Sequence, residues 1–272
     1  MGLLKRSSVL QADPGMNTSL PELVVLPTAE ALADEAARRF AAMTATAIAA
    51  RGQFIVALSG GSTPKALYAR LAAPPFSGSI DWSRVIVIWG DERCVPPDDA
   101  ASNYRMAREV LLDHVPVQAT HVRRIRGEYT PAGAAANYNA MLHDLLDAES
   151  ALPVDHTPAI DLVLLGLGED GHTASLFPGE VSVHTATEWA CAATAPTIPA
   201  DRVTLTPAII NAAANVLFLV SGNAKATMLH RVIEGPRIPH ELPAQLIAPL
   251  SGRACWLVDT AAATGLQSGA TA

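Results

Sequence analysis

Short unbroken apolar runs recur along this chain at residues 54–58, 85–89, 162–165, 216–220 and 255–258, with helix-patterned segments between them. A strand with one wet face alternates apolar and polar residues, whereas an unbroken apolar run of this length suits a strand covered on both faces. Such strands alternating with helices imply a mostly parallel sheet with right-handed crossovers and helices on both faces, a doubly wound, Rossmann-like α/β fold. The helical segments expected are 29–51, ended by Gly52, then 65–72 with Pro64 near its first turn, and about 104–112, 132–146 and 224–233. The alanine-rich first helix reads as core packing.

Four of the runs lead into polar or glycine-rich loops: SGGSTP after Leu58, GDER after Trp89, GLGEDGH after Leu165 and SGNAK after Val220. In an open parallel sheet all four lie on the carboxyl edge, where such folds bind ligands. In the third loop, Gly166, Gly168 and Gly171 permit unusual backbone angles and close approach, and the turn carries Asp170 and His172. Histidine suits proton transfer near neutrality, so the segment reads as an active-site loop. The same glycines spell the GxGxxG of a dinucleotide site, with Glu188 as the ribose acid. Pro178 and Gly179, however, stop any helix after about two turns, too soon for that motif. In the first loop, Gly60 and Gly61 expose backbone amides, Ser62 and Thr63 add hydroxyls, and the following helix presents its positive end. These are the parts of a phosphate cradle. The GKS or GKT of a nucleoside-triphosphate site is absent, which favours a monophosphate. Taken singly, either loop reads as an ordinary turn; their company on one edge argues for a site.

The chain has 272 residues, half of them hydrophobic, which suits one α/β domain over about 21–265. The first 20 residues carry Lys5 and Arg6 without an apolar stretch behind them and read as a disordered extension, with Met16 as an alternative start. No run approaches the roughly 20 apolar residues of a membrane helix. A formal charge of −7, a pI near 5.6 and the lack of any basic stripe argue against nucleic-acid binding. An anionic ligand must therefore be held by a few local cations and backbone amides. Cys94, Cys191 and Cys255 form no CxxC pair or zinc spacing, which fits a reducing, cytoplasmic setting, and Cys94 reads as a passive loop thiol. His114, His121, His143, His156, His184, His230 and His240 show no metal-binding pairing, so no metal is expected.

The blocks SGGSTP, WGDERCVPPDDAASNYRMAREVLLDHV, LVLLGLGEDGHTASLFPG, RVTLTPAIINAA, VSGNAKATML and CWLVDTAAA resemble, in order and over residues 23–263, those of the 6-phosphogluconolactonases. The related glucosamine-6-phosphate deaminases share the outline of these loops. They lack the Arg that here follows Asp91 and Glu92, and they lack HTASLFP. The resemblance implies hydrolysis of 6-phospho-D-glucono-1,5-lactone to 6-phosphogluconate in the oxidative pentose phosphate pathway, with no cofactor. Such a hydrolysis needs an activated water, a stabilised oxyanion and a proton for the leaving ring oxygen. His172 is the candidate base and acid, Asp170 or Asp91 either orients it or binds sugar hydroxyls, and Arg93 steadies negative charge. The resemblance assigns the phosphate to Arg202 and Lys225, with Gly60, Gly61, Ser62 and Thr63. The family often carries a lysine just before this arginine; APTIPADRV has none. Asn211 reads as a helix or turn residue. The alternatives are a phosphosugar deaminase or isomerase and a non-catalytic phosphosugar-binding module. The expected partner is the small phosphorylated lactone. A monomer is favoured, although nothing in the sequence fixes the oligomeric state.

Overall fold

A computed structural model describes residues 21–147, 160–180 and 187–267. The expected extension over 1–20, with Met16, lies outside the described residues, as do His156 and His184.

The chain opens with β1 (Glu22–Leu26), α1 (Ala29–Arg51), β2 (Phe54–Leu58), α2 (Ser62–Leu71), α3 (Phe76–Ser79) and β3 (Val85–Trp89). A short β4 (Asp91–Arg93), α4 (Asn103–Val110), α5 (Pro131–Asp147) and β5 (Leu162–Leu165) follow. Then come β6 (Ala190–Thr194), β7 (Asp201–Leu205), α6 (Pro207–Asn211), β8 (Asn215–Val220), α7 (Ala226–Ile233), β9 (Arg253–Asp259) and α8 (Thr260–Ala263). Six strands form one sheet in the order β1-β9-β8-β5-β2-β3, every pairing parallel. Every residue of β2, β3 and β5 is buried, as a sheet covered by helices on both faces requires. Phe218 and Trp256, cross-strand partners on β8 and β9, stack with ring centroids 3.7 Å apart.

Helix α1 behaves as its sequence predicts. The Thr28 hydroxyl accepts from the Ala31 amide at 3.2 Å, and Gly52 ends the helix at φ 80°, donating its amide to Ile48 O. Its buried face, including Leu32, Ala36, Ala37 and Phe40, is small enough to sit close to the sheet, where Phe40 meets Phe54 edge-on.

From β2 the chain steps outward to β3, whereas from β5 it steps the other way to β8 and then β9. The switch point falls between β2 and β5, and the crevice outside their carboxyl ends is where this architecture places a ligand. Two buried tyrosines pin strand ends beside it. The Tyr68 hydroxyl accepts from Ser59 N–H and donates to Ser59 O, and Tyr138 does the same at Trp89, with all four distances between 2.7 and 2.9 Å. These backbone groups lie where the strands stop, so the hydroxyls satisfy donors and acceptors that no ladder reaches.

Several elements go beyond the sequence pattern. Strand β1 adds an edge to the sheet, and β4, β7 and β6 form a separate antiparallel sheet in that order. Helix α2 begins at Ser62 rather than at residue 65, and a 3₁₀ turn over Asn223–Lys225 precedes α7, which replaces the expected start at 224. Residues 172–180 form turns, with an isolated bridge between Thr173 and Leu176 and no helix among them. That excludes the dinucleotide reading with Glu188 as its acid. Asn211 closes α6 and ties it to the 246–248 segment, donating to Leu246 O and accepting from Ala248 N–H. No helix among the described residues is long and apolar enough to cross a membrane.

Candidate active site

The loops after β2, β3, β5 and β8 converge on one cleft of about 530 Å³. Gly60, Gly61, Ser62, Thr63, Asp91, Arg93, Asp170, His172 and Lys225 all line it. Arg202 is not among its lining residues.

On the third loop, Gly168 N–H donates to His172 O at 2.8 Å, and Gly171, at φ 88°, completes a turn that folds Asp170 against His172. Asp170 Oδ1 lies 2.5 Å from His172 Nδ1 and 3.1 Å from the His172 amide. A Cβ at Gly168 would collide with both side chains, so glycine there is a condition of the pair. Burial raises the Asp170 carboxyl, but its hydrogen bond to His172 and the histidine's charge outweigh that and hold it below its ordinary value. An ionised carboxylate only accepts, so in the neutral imidazole the proton sits on Nδ1 and Nε2 keeps the lone pair. The imidazole also packs against Phe177, with centroids 4.7 Å apart.

The three residues of β4 do different work. Asp91 is buried: Oδ2 accepts from Ser175 Oγ at 2.7 Å, and Oδ1 accepts from Asn103 Nδ2 at 3.3 Å. Of the two acids proposed to orient the histidine, Asp170 is therefore the one in contact with it. Glu92 points away and accepts from the amides of Arg93, Asn103 and Tyr104 and from the Ser102 hydroxyl, at 2.7–3.0 Å. Burial raises its carboxyl against the pull of those donors. Glu92 thus serves as a cap for α4, which leaves Asp91 and Arg93 facing the cleft.

Arg93 donates one Nη1 hydrogen to Ala101 O, while its buried Nε has no hydrogen-bond partner among the described residues. The β4–β7 register sets Arg93 directly opposite Arg202. Arg202 is buried, donates to Pro199 O and Asp201 O, and has its pKa lowered by burial and then by the charge of Arg93. Like charges opposed across a ladder are destabilising, and the neighbouring Asp91 and Glu92 carboxyls offset part of that repulsion.

The N-cap of α2 is Gly61, φ 101°, and no side-chain hydrogen bond caps the helix. Its first-turn amides therefore face the cleft at the positive end of the helix, beside the Ser62 and Thr63 hydroxyls. Lys225 reaches the cleft from the other side of the switch point, with Nζ 3.8 Å from the exposed Glu169 carboxylate. The turn carrying it is fastened by Asp259, which accepts from Ser221 Oγ at 2.5 Å and from Gly222 N–H at 3.0 Å and also caps α8.

Sequence reasoning did not single out Asn103 or Ser175, both buried and both bonded to Asp91. The Ser102–Asn103 pair signals a helix start, and nothing local shows that the asparagine side chain turns back to β4. Burial and the neighbouring Asp201 raise the Cys94 thiol to about 11, which makes it the passive group expected. Among the described residues no group of three or more His, Cys, Asp or Glu is placed to hold a metal ion.

The family model described as glucosamine-6-phosphate isomerases/6-phosphogluconolactonase matches residues 27–256. A probable 6-phosphogluconolactonase 2 of Oryza sativa subsp. indica is 32% identical over 254 residues, covering 91% of this chain and 90% of that protein. A probable chloroplastic 6-phosphogluconolactonase 3 of the same plant is 36% identical over 250 residues, covering 90% and 76% respectively. The solved 6-phosphogluconolactonase from Trypanosoma cruzi superposes with a TM-score of 0.80 at 28% identity, over 94% of this chain and all of that one.

Proposed function

The chain belongs to the family of glucosamine-6-phosphate isomerases and 6-phosphogluconolactonases, and on that premise we propose that its cleft hydrolyses 6-phospho-D-glucono-1,5-lactone to 6-phosphogluconate, in the oxidative pentose phosphate pathway. The observation that carries this reading is the Asp170–His172 pair in the same cleft as an uncapped helix N-terminus and Lys225.

His172 Nε2 takes a proton from water as its oxygen adds to the lactone carbonyl carbon. The carbonyl oxygen becomes an alkoxide, which the charge of the Arg93 guanidinium at the cleft wall stabilises. Asp170 holds the imidazolium that has formed. The tetrahedral intermediate then collapses, the bond to the ring oxygen breaks, and that oxygen receives the proton from His172. Asp91, fixed by Ser175 and Asn103, accepts from sugar hydroxyls with its remaining lone pairs. The phosphate sits on the amides of the α2 first turn, the Ser62 and Thr63 hydroxyls and Lys225, with Gly60 and Gly61 allowing close approach. Arg202, opposite Arg93 in the ladder, contributes through its charge. We place the enzyme in the cytosol as a monomer, a reducing setting that suits three scattered cysteines without a CxxC pair.

The deciding assay measures lactone opening above the spontaneous rate, beside ammonia release from glucosamine 6-phosphate. Fast lactone opening without ammonia supports the proposal. Ammonia release would move the chain to the deaminase branch, and ligand binding without turnover of either substrate would make it a binding module.

A further inference from the structure

We propose that Asn103 is a positioning residue that couples occupancy of the phosphate cradle to the Asp91 carboxylate. The inference rests on the reading of the 60–63 loop as the phosphate site. Asn103 is the first residue of α4, yet its side chain is not used to cap that helix; Ser102 and Glu92 do that. It is almost fully buried and lines the cleft. Its Nδ2 donates to Asp91 O at 2.9 Å and to Asp91 Oδ1 at 3.3 Å, which uses both amide hydrogens on one residue.

The other end of the same amide lies against Gly60. A Cβ at Gly60 would overlap Asn103 Oδ1, and Gly60 does not have a positive φ, so the need for glycine there comes from Asn103 rather than from the backbone. One planar, buried side chain thus touches the phosphate loop on one edge and the carboxylate on the other. A planar amide cannot shift at one edge without moving the other. An anion that draws in the Gly60–Thr63 backbone therefore presses Asn103 and with it Asp91, whose other oxygen is anchored to Ser175 on the loop carrying His172. Phosphate binding, remote from the reacting carbon, is in this way turned into placement of the sugar.

The test splits the substrate in two. Opening of unphosphorylated D-glucono-1,5-lactone is followed, above background, with and without saturating inorganic phosphate, whose affinity is measured by calorimetry. Wild type should be accelerated by about 5-fold or more, the lower end of ordinary coupling between sites. Asn103→Ala should bind phosphate with an affinity within about 3-fold of wild type but gain less than about 2-fold in rate, so that coupling is lost while binding remains. Gly60→Ala should lose activation too, and adding Asn103→Ala to it should cost nothing further, because the collision is then relieved. Phosphate activation retained in Asn103→Ala, phosphate binding in wild type without activation, or additive losses in the double variant would each overturn the coupling. Absence of phosphate binding to wild type would overturn the phosphate-site reading and the inference together.

Discussion

Replacing Asp170 with asparagine is the most revealing single change in the catalytic loop, because it removes one charge and nearly no volume. In the native turn the carboxylate accepts from His172 Nδ1 at 2.5 Å and from the His172 amide at 3.1 Å, with about two-fifths of its side chain exposed. A hydrogen bond to a charged group contributes about 1.5–3 kcal/mol, and exposure places this one at the low end. The imidazolium formed during water attack thereby loses about 1.5 kcal/mol of stabilisation, or about tenfold in turnover. A second loss adds to it. The asparagine amide can donate to Nδ1, which places the histidine proton on Nε2 and removes the base from the cleft. Asp170→Asn should thus lower kcat by about 10²-fold, within the usual worth of a positioned acid–base group, and should be more damaging than Asp170→Ala, which offers Nδ1 no donor. KM should change little, because Asp170 reaches His172 rather than the phosphate. The assay is initial-rate hydrolysis of 6-phosphogluconolactone corrected for spontaneous opening, with folding checked by circular dichroism. A folded Asp170→Asn enzyme with wild-type kcat, or one changed only in KM, would refute the orienting role.

Arg93→Met should depress lactone turnover more than it weakens calorimetric binding of 6-phosphogluconate, because the oxyanion exists only on the reaction path; equal losses would make Arg93 a binding residue. Lys225→Ala should raise KM about 10-fold and narrow the preference for phosphorylated over plain gluconolactone, whereas Arg202→Ala, outside the cleft lining, should narrow it less; an unchanged ratio in both would move the phosphate elsewhere. Asp259 is pushed up by burial, but its bonds to Ser221, Ala262 and Gly222 outweigh this and leave it below its ordinary value of 3.8. Its contribution to stability is therefore fully present above about pH 4 and is lost as the pH falls through the depressed folded value, so Asp259→Asn should unfold more readily than wild type at pH 7 and the gap should close in strong acid.

The parallel core was legible because β2, β3, β5 and β8 are unbroken apolar runs, and burial on both faces leaves that mark in a sequence. The small antiparallel sheet was not. Asp91, Glu92 and Arg93 look like a polar loop, and β6 and β7 mix small, polar and charged residues instead of forming unbroken apolar runs. The start of α2 was placed three residues late because Gly61 leaves the helix without the Ser, Thr, Asp or Asn cap that normally announces one, and that missing cap is what exposes the amides. The Asp170–His172 contact follows from their spacing on a glycine turn. The opposition of Arg93 to Arg202 depends on strand register, and the reach of Asn103 to Asp91 on tertiary packing, so neither is written locally. The family blocks pointed to these loops; the structure separates Glu92, which holds a helix, from Asp91 and Arg93, which line the cleft.

The central claim is that this cleft opens a phosphorylated lactone with His172 as its base. It is tested most directly by the turnover of 6-phosphogluconolactone, above the uncatalysed rate, by wild type and by His172→Ala shown to be folded. The account predicts catalysis by wild type and a loss of about 10²-fold or more in the variant. A folded His172→Ala protein that hydrolyses the lactone at nearly the wild-type rate would contradict it.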